Sequence, residues 1–356
     1  MGRKRKVGVL TFHKCINYGS YWQARCLVEG LRARGLDAEL LDHDCKCVRL
    51  AEAKCALQPK LPDRTPQREL PRYRAKARKF INAIGQLPLS RTFSLHKPET
   101  AGDYDAIVVG SDEVWNFRHP WYGSKPIFFG DGLKAERLIS YAASFGNHSA
   151  WDGIAPDWAD KLHRFSAISV RDENSWLLVQ NGIDREPELV LDPCLQFAEI
   201  AKADTALDQP RYAVVYGHGF PGWLRRRTLR WARKTGTRLL SIGYSNDFAD
   251  EQRISASPLE FARLMSGASA VITNFFHGCV FALLNAKPWA SAPSDYRSIK
   301  IPDLAATFGT QGRIIDQDTD ARRFDYLLET APEPAVLERI ARGRERSNAF
   351  LDAALS

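Results

Sequence analysis

The 356-residue sequence contains no apolar run of the roughly 18–20 residues that a membrane-spanning helix requires, so no spanning segment is expected. It opens on "MGRKRKVGVLTF", a basic cluster leading straight into a β-branched run, without the longer apolar region and small-residue cleavage site of a secretory signal. Lys6 stands where a myristoylation signal after Gly2 would carry Ser or Thr. These absences make a cytoplasmic protein the expectation. Seven cysteines is an odd count and argues against a disulfide framework. "HDCKCVRLAEAKC" gathers His43, Cys45, Cys47 and Cys55, but C-x-C followed by a seven-residue gap fits zinc-ligand spacings poorly. These side chains read as free thiols, and no metal is expected. The arginine-rich stretches at 64–79 and 223–238 lack the interleaved aromatics and recognised modules of nucleic-acid binding, so no nucleic-acid partner is expected. The net charge of +8 then suits anionic small molecules or the anionic face of a membrane, with most arginines on solvated helix faces.

What is present is ordinary globular composition, 44% hydrophobic and 26% charged, in a chain long enough for two domains. "KVGVLTF" reads as a buried parallel strand, "NYGSYWQARCLVEGLRARG" as a turn and helix, and "LDAELLDHD" as a second strand, a βαβ unit. Residues 56–100 form a Pro- and Arg-rich excursion holding one basic amphipathic helix, "RYRAKARKFINAIGQL". Strands return in "DAIVVGSDEVWN", "RLISYAASFG" and "FSAISVRDENSW", and "PELVLDPCLQF" closes this half. The second half repeats the theme with "YAVVYGHGF", "TRLLSIGY", "SAVITNFFHG" and "PWASAP" as strands and turns. Ser257 and Glu260 form a capping box ahead of a helix, and a last helix starts near 334. The expectation is an α/β protein of two Rossmann-like domains facing a central cleft, GT-B-like. The N-terminal domain spans 1–200, and 201–356 carries the His277 turn and the C-terminal helix. Ligands of open parallel sheets collect at strand carboxyl ends, which singles out 17–20, 110–116, 144–146, 171–172, 217–220 and 274–278.

Taken in order, these turns resemble the polysaccharide pyruvyl transferase family. The matching segments are "GVLTFHKCINYGSYWQARCL", "VVGSDEVWN", "SYAASFG", "SVRDENSW", "LVLDP", "FFHG" before an apolar helix and "KPW", and "YRSIKIPDLAATFG". The resemblance covers roughly residues 7–310. Two departures stand out: Phe275 where the family carries Ser or Arg, and Cys279 where Thr or Ser is commoner.

The resemblance implies transfer of the pyruvyl group of phosphoenolpyruvate to two sugar hydroxyls, forming a cyclic ketal in exopolysaccharide or cell-surface glycan biosynthesis. C3 of the enol takes a proton, C2 becomes oxocarbenium-like, one hydroxyl adds, phosphate leaves and the second hydroxyl closes the ring. Such a site needs cations, an acid–base group and water exclusion. No cofactor beyond the co-substrate is implied. His277 is the candidate acid–base or phosphate contact, since imidazole titrates near neutral pH; the alternative is a core histidine. Arg171 is the candidate clamp on the donor, or else a partner of Asp172 or Glu173. Asn274, Gly278 and Lys300 complete the donor set. Asp112 is the candidate base or orienter, or else a turn cap. Asn17, Tyr18, Gly19, Ser111, Trp115 and Asn116 form the acceptor set, with helix capping and core packing as their other reading. His218, between glycines at a strand end, is a lesser candidate. The acceptor is read as a saccharide, lipid-linked or nucleotide-linked, with the basic helix holding the enzyme at the inner face of an anionic membrane. Two other readings stay open: a nucleotide-sugar glycosyltransferase of GT-B type, and a non-catalytic member binding an anionic sugar, which Phe275 keeps alive. The oligomeric state is not fixed by the sequence.

Overall fold

The computed structural model describes residues 3–60, 63–203, 211–294 and 297–356. Its strands are β1 (Lys6–Leu10), β2 (Asp37–Leu40), β3 (His43–Asp44), β4 (Phe93–Ser94), β5 (Asp103–Val109), β6 (Lys134–Ser140), β7 (Ser169–Val170), β8 (Glu188–Leu189), β9 (Tyr212–Tyr216), β10 (Arg238–Ile242), β11 (Glu251–Arg253), β12 (Ala270–Thr273) and β13 (Trp289–Ser291). The α-helices are α1 (Tyr18–Ala33), α2 (Lys46–Leu57), α3 (Leu70–Ile84), α4 (Pro156–His163), α5 (Glu173–Ile183), α6 (Pro193–Gln196), α7 (Ala198–Ala201), α8 (Gly222–Thr235), α9 (Pro258–Gly267), α10 (Phe276–Leu284), α11 (Lys300–Phe308), α12 (Ala321–Glu329) and α13 (Pro334–Leu355).

The chain divides into two compact units. Unit one holds residues 1–52, 84–200 and 340–356; unit two holds 53–83 and 201–339. Two segments therefore fall outside a simple cut at residue 200. Most of the basic excursion's helix, α3, belongs to unit two, and most of α13 belongs to unit one.

In unit one a parallel sheet runs β2-β1-β5-β6. Parallel bridges from Ile139 to Ala167 and from Ala143 to Val170 extend it to β7, which pairs with β8. The β-branched "KVGVL" of β1 is buried from Val7 onward, as a strand covered on both faces must be. Its core gathers Leu10, Ile107, Val109, Trp115, Phe128, Phe145 and Leu178. In unit two all five strands are parallel, in the order β11-β10-β9-β12-β13. Numbered from β9, that is the 3-2-1-4-5 order of a Rossmann sheet. Ala213, Val215, Leu224, Trp231, Ile272 and Phe324 fill its core. Burying each large apolar side chain contributes roughly 1.5–3 kcal/mol, which is the main term holding both layers together.

Local sequence sets the helix starts. Ser257 accepts from the Glu260 backbone N–H while the Glu260 carboxylate accepts from Ser257 N, the reciprocal capping box expected for α9. The stretch "LDAELLDHD" is two short strands rather than one, because Leu41 and Asp42 turn away between β2 and β3. The cysteine-bearing stretch that follows is helical.

Candidate functional site

In each sheet the strand order reverses once, and there two neighbouring loops open in opposite directions. In unit one the reversal lies between β1 and β5, where Thr11 Oγ1 donates to the Ser111 carbonyl at 2.8 Å. β5 continues into Gly110, Ser111 and Asp112; the Gly110–Ser111 peptide is cis and Asp112 has a φ of 77°. Ser111 is fully buried, and its Oγ has no hydrogen-bond partner among the described residues.

Asp112 is held from three sides. Its Oδ1 accepts from the Glu113 backbone N–H at 2.9 Å and from Arg171 Nη2 at 3.2 Å, while its Oδ2 accepts from Ser20 Oγ at 2.8 Å. Arg171 also donates through Nη1 to Asp192 Oδ2 at 3.0 Å. Only 2% of the Arg171 side chain and 1% of the Asp192 side chain are exposed, so this is an ion triad inside the protein. Burial works against the guanidinium charge, but Asp112 and Asp192 outweigh it and raise the Arg171 pKa above its ordinary value. Arg171 makes ion pairs with Asp112 and Asp192, and its sequence neighbour Asp172 adds a smaller attraction. The triad ties the ends of β5, β7 and β8 together.

The remaining residues expected on the acceptor side are mostly turned inward. Asn17 Oδ1 caps α1 by accepting from Gly19 N and Ser20 N, and Tyr18 is fully buried. Trp115 is fully buried, donates Nε1 to the Phe128 carbonyl at 2.8 Å and packs on Phe129, Phe145 and Phe165. Asn116 donates to Glu113 Oε2 at 2.7 Å and accepts from Arg118 N. Of this group the structure brings Ser111 and Asp112 to the sheet reversal, and it places Trp115 in the core.

In unit two the reversal lies between β9 and β12. Asn274, one residue past β12, donates Nδ2 to the His218 carbonyl past β9 at 2.7 Å. Gly217, at a φ of 145°, leaves room for this: a Cβ there would lie 2.0 Å from Asn274 Oδ1. That oxygen is buried with no hydrogen-bond partner among the described residues. Asn274 lines a cavity of about 380 Å³ together with Gly219, Pro221, Trp223, Ser294 and Asp316. The volume is within the range of small-molecule pockets.

His277 lies in the first turn of α10, which begins at Phe276, and not in the preceding turn as its sequence position suggests. It is buried, and its ring meets Phe276 edge-on at 5.2 Å between centroids. Gly278 is required by packing: a Cβ would come within 2.1 Å of Thr273 Oγ1, which donates to the Tyr216 carbonyl. Lys300, the first residue of α11, is buried. His277, Gly278 and Lys300 do not line the Asn274 cavity.

Phe275 sits in an aromatic cage. The rings of Tyr216 and Tyr244 lie 5.1 Å away, that of His218 lies 5.3 Å away, and the Arg297 guanidinium stacks 4.1 Å above its centroid. Burial, reinforced by Arg297, Lys60 and Lys76, lowers the His218 pKa to about 4, so this imidazole is neutral near neutral pH and acts as a packing ring. Sequence reasoning missed Asp192 and Arg297, and it placed Ser20 in the 17–20 turn without its bond to Asp112. Each lay within a quoted motif, "NYGSYW", "LVLDP" or "YRSIK", but nothing in those strings says which residue each side chain reaches.

The family model of polysaccharide pyruvyl transferase matches residues 17–296. The chain belongs to that family. The matched span begins at the α1 cap, after β1, takes in the β5 end with Ser111 and Asp112 and the whole β9–β12 reversal, and stops short of Lys300. This is a family of transferases. No curated protein sequence matches the chain. Among solved structures it is similar to the UDP-GlcNAc 2-epimerase of Neisseria meningitidis bound to UDP-GlcNAc, at 10% identity and a TM-score of 0.53, covering 98% of this chain and 99% of that one. The UDP-GlcNAc 2-epimerase of Methanocaldococcus jannaschii gives the same identity and TM-score, covering 99% and 100%. At this identity the likeness establishes the GT-B-like α/β fold and says nothing of the reaction.

Proposed function

We propose that this family member transfers the pyruvyl group of phosphoenolpyruvate to two hydroxyls of a saccharide, releasing phosphate and forming a cyclic ketal. The observation that carries the reading is the family match, which includes both strand ends that present a buried polar oxygen, Ser111 Oγ past β5 and Asn274 Oδ1 past β12. Donor contacts are assigned to unit two. Asn274 orients the donor from the cavity it lines, and His277, outside that cavity at the start of α10, is assigned as its acid–base or phosphate contact, where the helix N-terminus favours an anion. Acceptor contacts are assigned to unit one at Ser111. Asp112, whose carboxylate already accepts three hydrogen bonds, fits the positioning of a hydroxyl better than removal of its proton. Arg171 is assigned to holding Asp112, in place of clamping the donor. The acceptor is taken to be a lipid- or nucleotide-linked sugar handled at the inner face of the membrane.

Purified protein incubated with phosphoenolpyruvate and a panel of saccharides is expected to release phosphate and to raise the acceptor mass by one pyruvyl ketal. His277→Ala is expected to lose roughly 100-fold or more in turnover, the scale of a lost acid–base group. Asn274→Ala is expected to raise KM for phosphoenolpyruvate. Turnover of a nucleotide sugar without phosphate release from phosphoenolpyruvate would overturn the reading. Full activity of His277→Ala would overturn the donor assignment while sparing the reaction.

A further inference from the structure

A second group of side chains, in unit one, stands apart from both sheet reversals. The two-residue strands β3 and β4 pair in parallel, His43 with Phe93 and Asp44 with Ser94, and Leu95 N donates to the Asp44 carbonyl at 2.8 Å. This short ladder carries the chain ends beyond it side by side, so that Cys45 meets His96 although 51 residues separate them. Cys45 Sγ lies 3.5 Å from His96 Nε2. Cys47 completes the group, and the three ligand atoms all lie within 4.8 Å of one another. Residues two apart on a helix do not share a face. Cys45 escapes that rule because it precedes α2, with its sulfur within reach of the Cys47 and Val48 backbone N–H groups, which folds it back over the first turn. Buried Val48 on one side and buried Phe93 and Leu95 on the other fix both backbones, while Cys47 and His96 face solvent and Cys45 is half-buried.

We propose that Cys45, Cys47 and His96 form a zinc site. Zinc bonds of about 2.3 Å to sulfur and about 2.0 Å to nitrogen put S and N ligands about 3.5 Å apart in a tetrahedron, the separation found between Cys45 and His96. Closing the third ligand onto the same ion takes only a rotamer adjustment of an exposed side chain. Binding displaces two thiol protons, leaves a neutral dithiolate–zinc unit with neutral imidazole, and keeps a fourth position for water. His43, the histidine nearest these cysteines in sequence, is excluded, since its Nε2 is directed to the Thr11 carbonyl at 2.9 Å. Cys55, at the far end of α2, is not part of the group.

The test is cobalt titration of the reduced full-length chain, with any affinity tag removed, followed by displacement with zinc. One equivalent of cobalt is expected to bind with thiolate-to-metal charge-transfer absorption, and zinc to bleach it. Cys45→Ser, Cys47→Ser and His96→Ala should each weaken binding at least about tenfold, whereas Cys55→Ser should match the parent. Near-ultraviolet circular dichroism of each variant separates ligand loss from unfolding. Absence of the band, its survival in both Cys45→Ser and His96→Ala, or formation of a Cys45–Cys47 disulfide in place of metal uptake under reducing buffer would each overturn the proposal.

Discussion

Phe275 stands where the family resemblance leads one to expect a polar side chain, and it packs in a cage of Tyr216, His218, Tyr244 and Arg297. The ring closes an aromatic cluster behind the start of α10 and gives Arg297 a face to stack on. Phe275→Ser is therefore expected to destabilise unit two by about 3–5 kcal/mol, the usual cost of emptying a buried phenylalanine site. Chemical denaturation checks this; an unchanged midpoint would mean that the cage is not load-sharing. At this scale the sequence was most informative where backbone chemistry decides. Asn17 as cap and the Ser257–Glu260 box follow from side chains acting on their own helices. It was least informative where a side chain acts across the fold. Arg171 reads as a cation suited to an anionic ligand, yet its charge is taken up by Asp112 and Asp192, 59 and 21 residues away. Long-range pairing of this kind leaves no local spacing to recognise.

Helix α3 illustrates the same limit one level up. Its period and its arginines were legible as a basic amphipathic helix, and its bounds, Leu70–Ile84, lie close to the expected 72–86. What lies under its apolar face was not. Tyr73, Lys76 and Phe80 are buried within unit two, Tyr73 Oη accepts from Ser245 N at 3.0 Å, and Lys76 donates to the Gly243 carbonyl at 3.0 Å. The Lys76 ammonium also stands 4.3 Å from the Tyr244 ring centroid. The face a membrane would need is occupied, which leaves the exposed Arg72, Arg74 and Arg78 for any anionic surface. Burial lowers the Lys76 pKa to about 7 from the ordinary 10.5. Between those values the unfolded chain holds a proton that the native protein has released, so stability contributed by this residue rises with pH across that window. Below about 7 both states are protonated and the native state carries the buried charge in full. Lys76→Met should flatten that slope: its stability relative to the parent should be highest below pH 7 and decline toward the alkaline end. Parallel stability curves for the two proteins would refute the argument.

For the whole molecule, alternating strands and helices were enough to read two Rossmann-like layers, because the parallel β/α period repeats in both halves. The division of the chain was harder to read, since hydrophobic period says that a helix packs but not on which core. The chain changes unit after Glu52, after Ala83, after Ile200 and after Arg339. Helix α13 spans the last change, and its later part is bound into unit one: Ser347 Oγ accepts from Leu191 N at 2.9 Å and Arg344 Nε donates to the Leu195 carbonyl at 2.8 Å. A protease site engineered near residue 200 should therefore give two bands on a denaturing gel and one species by gel filtration, because each product contributes folded elements to both units. Separation of the two pieces without denaturant would contradict this. The same interleaving constrains modular exchange among relatives. A chimera that replaces residues 201–356 as a cassette keeps the native α3 under a foreign sheet and sets a foreign α13 against the native Leu191. The heritable module for unit two is 53–83 with 201–339, and for unit one it is the three stretches that remain.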